Sequence, residues 1–292
     1  PPVVTLNPAI DTSPVLLFET RKISFLNKDD FGIYNVSLSC NILRNQKKIQ
    51  DIKLISENFP NNGIKNFDLS FPFDPSLLSL EDGDEIIFTA SAIDHFPGRE
   101  FTQSKPLKLK IIGQEKHAEM IRAQMDSVIS ETAEIARNQE ALQYQTLSTE
   151  AKLRESTEPI LNSKETSVIK DLKNDQNDLA KRLLANAKDG SEIINEAAKN
   201  PIFDSQTLSE FASSLSTIKK ISSGPMLESE KNLDFAASSN KSKAGQSIML
   251  SAQSQQQALE ELRKVLAKFS EQLDRLEART LAQRLIKLEK IE

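Results

Sequence analysis

Residues Gln256–Leu288 read QQALEELRKVLAKFSEQLDRLEARTLAQRLIKL, and the helical half of the fold turns on them. Leu259, Leu262, Leu266, Phe269, Leu273 and Leu276 recur at alternating steps of three and four, the seam of a coiled coil. Glu260, Glu261, Arg263, Lys264, Lys268, Glu271, Gln272, Asp274, Arg275 and Glu277 stand between them as a charged outer face. From Ser251 to Leu288, at 1.5 Å per residue, the rod is about 57 Å long. Alone it does not hold. Six buried seam side chains return ~1.5–3 kcal/mol each, less than the ~1–2 kcal/mol that ordering every backbone costs over this length. A partner helix must therefore cover the seam.

Upstream, Ile121, Met125, Val128, Thr132, Ile135, Gln139 and Leu142 keep the same steps on a helix expected to run from Gln114 to Glu158. Its seam is half polar. Val168, Leu172, Leu179 and Leu183 mark a second helix that Asp189-Gly190 should stop, and Ser191–Lys199 a short third before Pro201. Ser205 is the expected N-cap of a fourth, with Leu208, Phe211, Leu215 and Ile218 on one face, broken by Ser223-Gly224-Pro225. The soft patch Ser238, Ser239, Asn240 and Gly245 precedes the rod. The rod is expected to pack first with the Gln114–Glu158 helix, turned back antiparallel. A homotypic contact through Leu281, Leu285 and Leu288 is expected second.

Before Gly113 the pattern has period two. Tyr34, Val36, Leu38, Cys40 and Ile42 alternate with Asn35, Ser37, Ser39 and Asn41, giving one buried face and one wet face. Further strands are read at Val3–Leu6, Ile23–Phe25, Ile49–Ile55, Phe67–Phe71, Ile86–Ala92 and Leu107–Ile111. Seven short strands, all antiparallel in pattern, predict an Ig-like β-sandwich. Ten of the fourteen Phe and nine of the twelve Pro lie in this part. The fold class predicted is therefore β plus α: an antiparallel sandwich over 1–112, then a helical, partly coiled-coil bundle over 113–292.

Charge excludes some functions. Twelve Lys and Arg stand against fourteen Asp and Glu up to Gly113, and twenty-five against twenty-eight after it, so no basic stripe exists for nucleic acid. The eight Gly are unclustered, which argues against a phosphate loop. No apolar run reaches the ~20 residues of a membrane span. Because the chain opens Pro1-Pro2 rather than with Met, a leader or anchor preceding it is left open.

Asp29, Asp30 and Asp94 could offer carboxylates to Ca²⁺, but calcium takes ~6–8 oxygens, so turn-shaping and strand-ending roles are the stronger reading. Glu81-Asp82-Gly83-Asp84 lacks a calcium loop's closing Glu and reads as a turn. His95 and His117, with the single Cys40, cannot assemble a zinc set, and nothing places a nucleophile beside His95, which reads as a solvated loop residue. Cys40 reads as a buried inert thiol. No catalytic, cofactor-binding or metal residue is assigned.

Lys28-Asp29-Asp30-Phe31-Gly32-Ile33 with Val36 and Leu38, Gly83-Asp84-Glu85-Ile86, and Ala90-Ser91-Ala92-Ile93-Asp94 with Pro97 resemble Ig-like repeats of large bacterial envelope proteins. Leu179-Ala180 with Leu183, and Met249, Ala252, Gln255 and Ala258-Leu259-Glu260-Glu261-Leu262 with Leu266 and Phe269, are similar to the helical region that succeeds such repeats in a membrane-anchored bacterial family of unknown function. That resemblance implies an extracytoplasmic setting and an anchor outside these residues. The expected function is a non-enzymatic scaffold or interaction module of the cell envelope, with a protein partner or self-association through the helices. A calcium-stiffened adhesin repeat is the first rival, and an enzyme with an unrecognised site the second.

Overall fold

The computed structural model describes residues 1–6, 14–61, 63–156 and 158–289. The side chains of Leu281, Leu285 and Leu288 lie outside the described residues. The chain divides into two compact units, Pro1–His117 and Ala118–Glu292.

Among the described residues of the first unit nine strands form two sheets. They are β1 (Val3–Leu6), β2 (Val15–Leu16), β3 (Arg21–Lys28), β4 (Ile33–Arg44), β5 (Lys47–Asn58), β6 (Asn66–Phe73), β7 (Glu85–Asp94), β8 (Thr102–Gln103) and β9 (Leu107–Ile112). One sheet has the order β1-β3-β6; the other runs β2-β9-β7-β4-β5, with β8 beside β7. The alternating residues of β4 and β7 (Val36, Leu38, Cys40, Ile42; Ile86, Phe88, Ala90, Ala92) are buried as their pattern requires. Phe73 of β6 meets Phe88 of β7 edge-on, with ring centres 4.9 Å apart, so both sheets share one core.

Three expectations need correction. The pairing is not wholly antiparallel: the two-residue β2 runs parallel to β9, with Val15 opposite Ile111 and Leu16 opposite Ile112. A pair of residues carries no periodicity, which is why β2 and β8 leave no trace in the pattern. Tyr34 does not face the core. The β4–β7 register slips between Ile33 and Asn35, so Ile33 takes the inward place and Tyr34 turns out. The strand read at Ile49–Ile55 is the twelve-residue edge strand β5. It is joined to β4 by a two-residue hairpin in which Asn45 and Gln46 both have positive φ, 51° and 65°. Two residues of β5, Ile49 and Leu54, have no opposite number on β4 and form bulges.

The second unit is a helical bundle built from most of α1 (Gln114–Glu155), α2 (Ser163–Ala197), α3 (Ser205–Ile221), α4 (Leu227–Ala237) and α5 (Lys241–Glu289). Gly190 does not stop a helix but lies inside α2, so Ser191–Lys199 is no separate element. The cap of α3 is Asp204, whose Oδ1 accepts the Thr207 N–H at 3.0 Å, and Ser205 is the first helical residue. Ser223-Gly224-Pro225 does not break the chain's course. Ser222–Met226 form one π turn with right-handed backbone at both ends, which carries α3 into α4 with Pro225 inside. The soft patch ends α4 at Ala237, and α5 begins at Lys241, well before the stretch that announces it.

Every seam residue read on α1 is buried, Thr132 and Gln139 included. Glu140 and Gln143 meet Arg263 and Gln256, each at 2.8 Å, which sets α1 and α5 antiparallel. On α5 the buried stripe includes Ala258 and Val265 beside Leu259, Leu262, Phe269 and Leu276. That face is wider than a two-stranded seam and suits a bundle.

The polar seam positions of α1 are matched rather than left bare. Asn186 Nδ2 donates to Thr132 Oγ1 and to the Val128 carbonyl, both at 2.9 Å. Gln139 and Gln176 exchange amide hydrogen bonds at 3.0 Å in both directions. Gln176 Oε1 also accepts from Gln255 Nε2 at 3.0 Å and from Ser229 Oγ at 3.1 Å. Ser229 spends its proton there, so Ser251 is the donor in their 2.8 Å contact. This layer ties α1, α2, α4 and α5 together; Gln255 Oε1 within it is buried without a partner among the described residues, and a residue out of register would leave further buried amide groups unpaired.

Candidate functional site

Of the acidic residues singled out in the first unit, Asp94 and one oxygen of Asp29 are committed to structure, while Asp29 Oδ1 is buried without a partner among the described residues. Asp94 ends β7 with its side chain wholly buried: Oδ1 accepts the Phe96 N–H at 3.1 Å, and Oδ2 pairs with Arg99. Asp29 Oδ2 accepts the Phe31 N–H at 2.8 Å and shapes the turn, while Asp30 is exposed. Among the described residues no group of three or more His, Cys, Asp and Glu is placed to hold a metal ion. A cation does stand beside Asp94, but it is the Arg99 guanidinium.

That guanidinium lies 4.9 Å from the Phe31 ring centre and 4.3 Å from that of Phe96, and the two rings meet edge-on at 5.4 Å. Phe31, Phe96 and Tyr34 are each nearly half exposed. His95 is not the solvated loop residue expected. It is half-buried with its ring 5.2 Å from that of Tyr34. His117 is buried near the start of α1. Cys40 is buried, and burial first, then nearby Asp51, pushes its thiol up to about 11.

The turn at Glu81–Asp84 carries an unforeseen pair. Arg44 Nε and Nη2 donate to the two carboxylate oxygens of buried Asp84, both at 2.9 Å, and the Glu81 N–H donates to Asp84 Oδ2 at 2.8 Å. The Arg44 hydrogen bonds, and then the Glu81 amide, hold the Asp84 carboxyl below its ordinary range.

The helical unit contains an open cleft of about 1110 Å³ beside the end of α1 and the start of α5. Leu153, Ile160, Met249 and Leu250 are apolar lining; Asn240, Lys241 and Ser242 stand at the start of α5, and Glu150, Arg154, Glu158 and Gln246 line the cleft as well. Lys241 is buried. Its N–H bonds the Pro159 carbonyl at 3.2 Å, while Nζ donates to Ser156 Oγ at 2.8 Å and pairs with Glu165 at 3.0 Å. One residue thus clips the α1–α2 connection to the start of α5. The Asn162 backbone N–H first, then Lys241, holds Glu165 below the usual carboxylate range. Neither Arg99 nor Lys241 is legible in sequence: each acts through a partner fixed by the fold, and a lone cation names no partner.

No protein-family model matches the chain, and comparison with curated proteins finds no match. Among solved structures it is similar to the crystal structure of Spo0M, a sporulation control protein from Bacillus subtilis, at 10% identity and a TM-score of 0.26. The likeness covers 40% of this chain and 54% of that one, about half its length. At that level it carries no argument about fold or role.

Proposed function

We propose that the chain is a non-enzymatic structural and interaction module, an Ig-like sandwich followed by a helical bundle, in the extracytoplasmic part of a bacterial envelope protein. The Ig-like reading is supported by how the strands are shared: first, third and sixth in one sheet, with the fourth, seventh and ninth adjacent in the other. β1 in one sheet and the short β2, parallel to β9 in the other, then correspond to two halves of a split first strand. The envelope setting rests on the short motifs around Asp29, Asp84 and Asp94. No described helix is long and apolar enough to cross a membrane, so any anchor lies outside those helices.

One observation supports the interaction role most directly. The α5 helix runs to Glu289, and along its last turns the sequence repeats Leu281, Leu285 and Leu288 at steps of four and three, the spacing of a helix–helix seam. That tail is a self-association element. Sedimentation of the full chain from 1 to 100 µM, an order-of-magnitude range spanning modest interfaces, tests this. The expected result is a reversible shift to dimer, weakened at least tenfold by Leu285→Asp with unchanged circular dichroism. A wild-type chain monomeric throughout, or a Leu285→Asp chain that associates equally, removes the tail from the reading.

A further inference from the structure

The cleft beside the start of α5 has a feature that packing does not require. Gly245 lies inside α5, where glycine is less favourable than alanine. A Cβ there would meet nothing within 4 Å, so no close approach of a neighbour excludes a side chain. Gly245 lines the cleft, and the missing side chain keeps its middle open.

Along α5 the lining passes from polar to apolar with Gln246 between, while Glu150, Arg154 and Glu158 also line the cleft. Asn240, Lys241 and Ser242 stand at one end, and Met249 and Leu250 lie about two turns further on, some 12 Å from Ser242 to Leu250 at 1.5 Å per residue. Leu153 and Ile160 line the same space. Ile160 is 72% and Leu250 51% exposed, so the fold leaves apolar surface uncovered along this one opening. At the polar end Lys241 is only 6% exposed. Its ammonium has three N–H groups, of which Ser156 and Glu165 take two. A volume of about 1110 Å³ is ample for a long, narrow guest.

We propose that this cleft binds a single acyl chain, its carboxylate at the Lys241 end and its hydrocarbon laid past Gly245 along Met249 and Leu250. Cis-parinaric acid, a fluorescent polyene fatty acid, is the probe, titrated into the full chain below its micellar concentration. The expected result is saturable one-to-one uptake, displaced by dodecanoate about three- to fourfold more effectively for each CH₂ gained over decanoate. Gly245→Phe fills the cleft and should weaken uptake at least tenfold. Gly245→Ala, whose Cβ has room, should retain it. Leu250→Asp, at an exposed position that folding does not depend on, should weaken it as well, so the test survives if the Phe variant fails to fold. The head is tested separately: dodecanoate should displace the probe at least tenfold better than dodecyltrimethylammonium.

Absent or non-saturable uptake overturns the proposal, as does uptake unchanged by both Gly245→Phe and Leu250→Asp. Equal displacement by the ammonium overturns the assignment of the head. If instead Gly245→Phe abolishes self-association and leaves probe uptake alone, the occupant is a second copy of the chain. The tail's role in association is read from Leu285→Asp, so the two readings fail independently.

Discussion

Asp84 shows how much a single residue can hide in sequence, and why that matters for acid stability. In sequence it is one of three acids in a turn; in the fold it is a buried carboxylate gripped by Arg44 from the end of β4. Its folded pKa is lowered, so the stabilisation is fully present above the ordinary carboxylate range and is lost as pH falls through the folded value. The melting temperature of the β unit should therefore drop steeply on the acid side. Asp84→Asn should lower it at neutral pH and flatten that acid dependence. Calorimetry between pH 2 and 7, roughly the span over which carboxylates titrate, checks both. Parallel pH profiles for the two proteins would rule the pair out as the source. Arg99 and Asp94 are the same kind of feature at the other end of β7, equally silent in sequence because a salt bridge set by the fold has no periodic spacing to read.

At the scale of elements, what repeats is legible and what happens once is not. The seam of α1 and the alternation of β4 and β7 can be read because many residues vote on one period. Gly190 reads as a helix stop because glycine usually marks one. Its actual reason lies across the bundle: a Cβ there would fall 2.7 Å from Leu215 Cδ2 and 3.4 Å from Val128 Cγ1. Glycine lets α2 approach α3 at that point. Gly190→Ala gains about 1 kcal/mol of helix propensity but incurs about 1–3 kcal/mol of overpacking. Leu215→Ala alone should cost about 2–5 kcal/mol through the cavity it leaves. Together they should cost less than the sum, by about 1 kcal/mol, since the new methyl occupies part of the hole. Urea denaturation of the four proteins measures this coupling, and strict additivity would show that the two positions do not press on each other. The π turn at Ser222–Met226 is hidden for a related reason. Pro225 breaks an ordinary helix, and only the wider turn, with Ser222 Oγ bonded to the Ala180 carbonyl at 2.8 Å, accommodates it.

For the whole molecule, the two cores are separate sets of residues: one drawn from the strands, the other from Ala118 to Leu276. Residues 1–117 should consequently fold alone, with one cooperative thermal transition and near-ultraviolet signals from its ordered aromatic rings. A fragment that melts without cooperativity would refute the independence of that core. Folding alone also means that β5 meets other chains during synthesis and at high concentration. Its stretch Lys47-Lys48-Ile49-Gln50-Asp51-Ile52-Lys53-Leu54-Ile55 is long, rich in isoleucine and open along one edge, the usual template for fibril growth. What blunts it is geometry and charge. The bulges at Ile49 and Leu54 interrupt the straight run of edge amides, and three lysines repel an approaching copy. Those two unpaired residues, which look like faults in the register, should hinder amyloid seeding at this edge, and deleting Leu54 should shorten the lag time of aggregation.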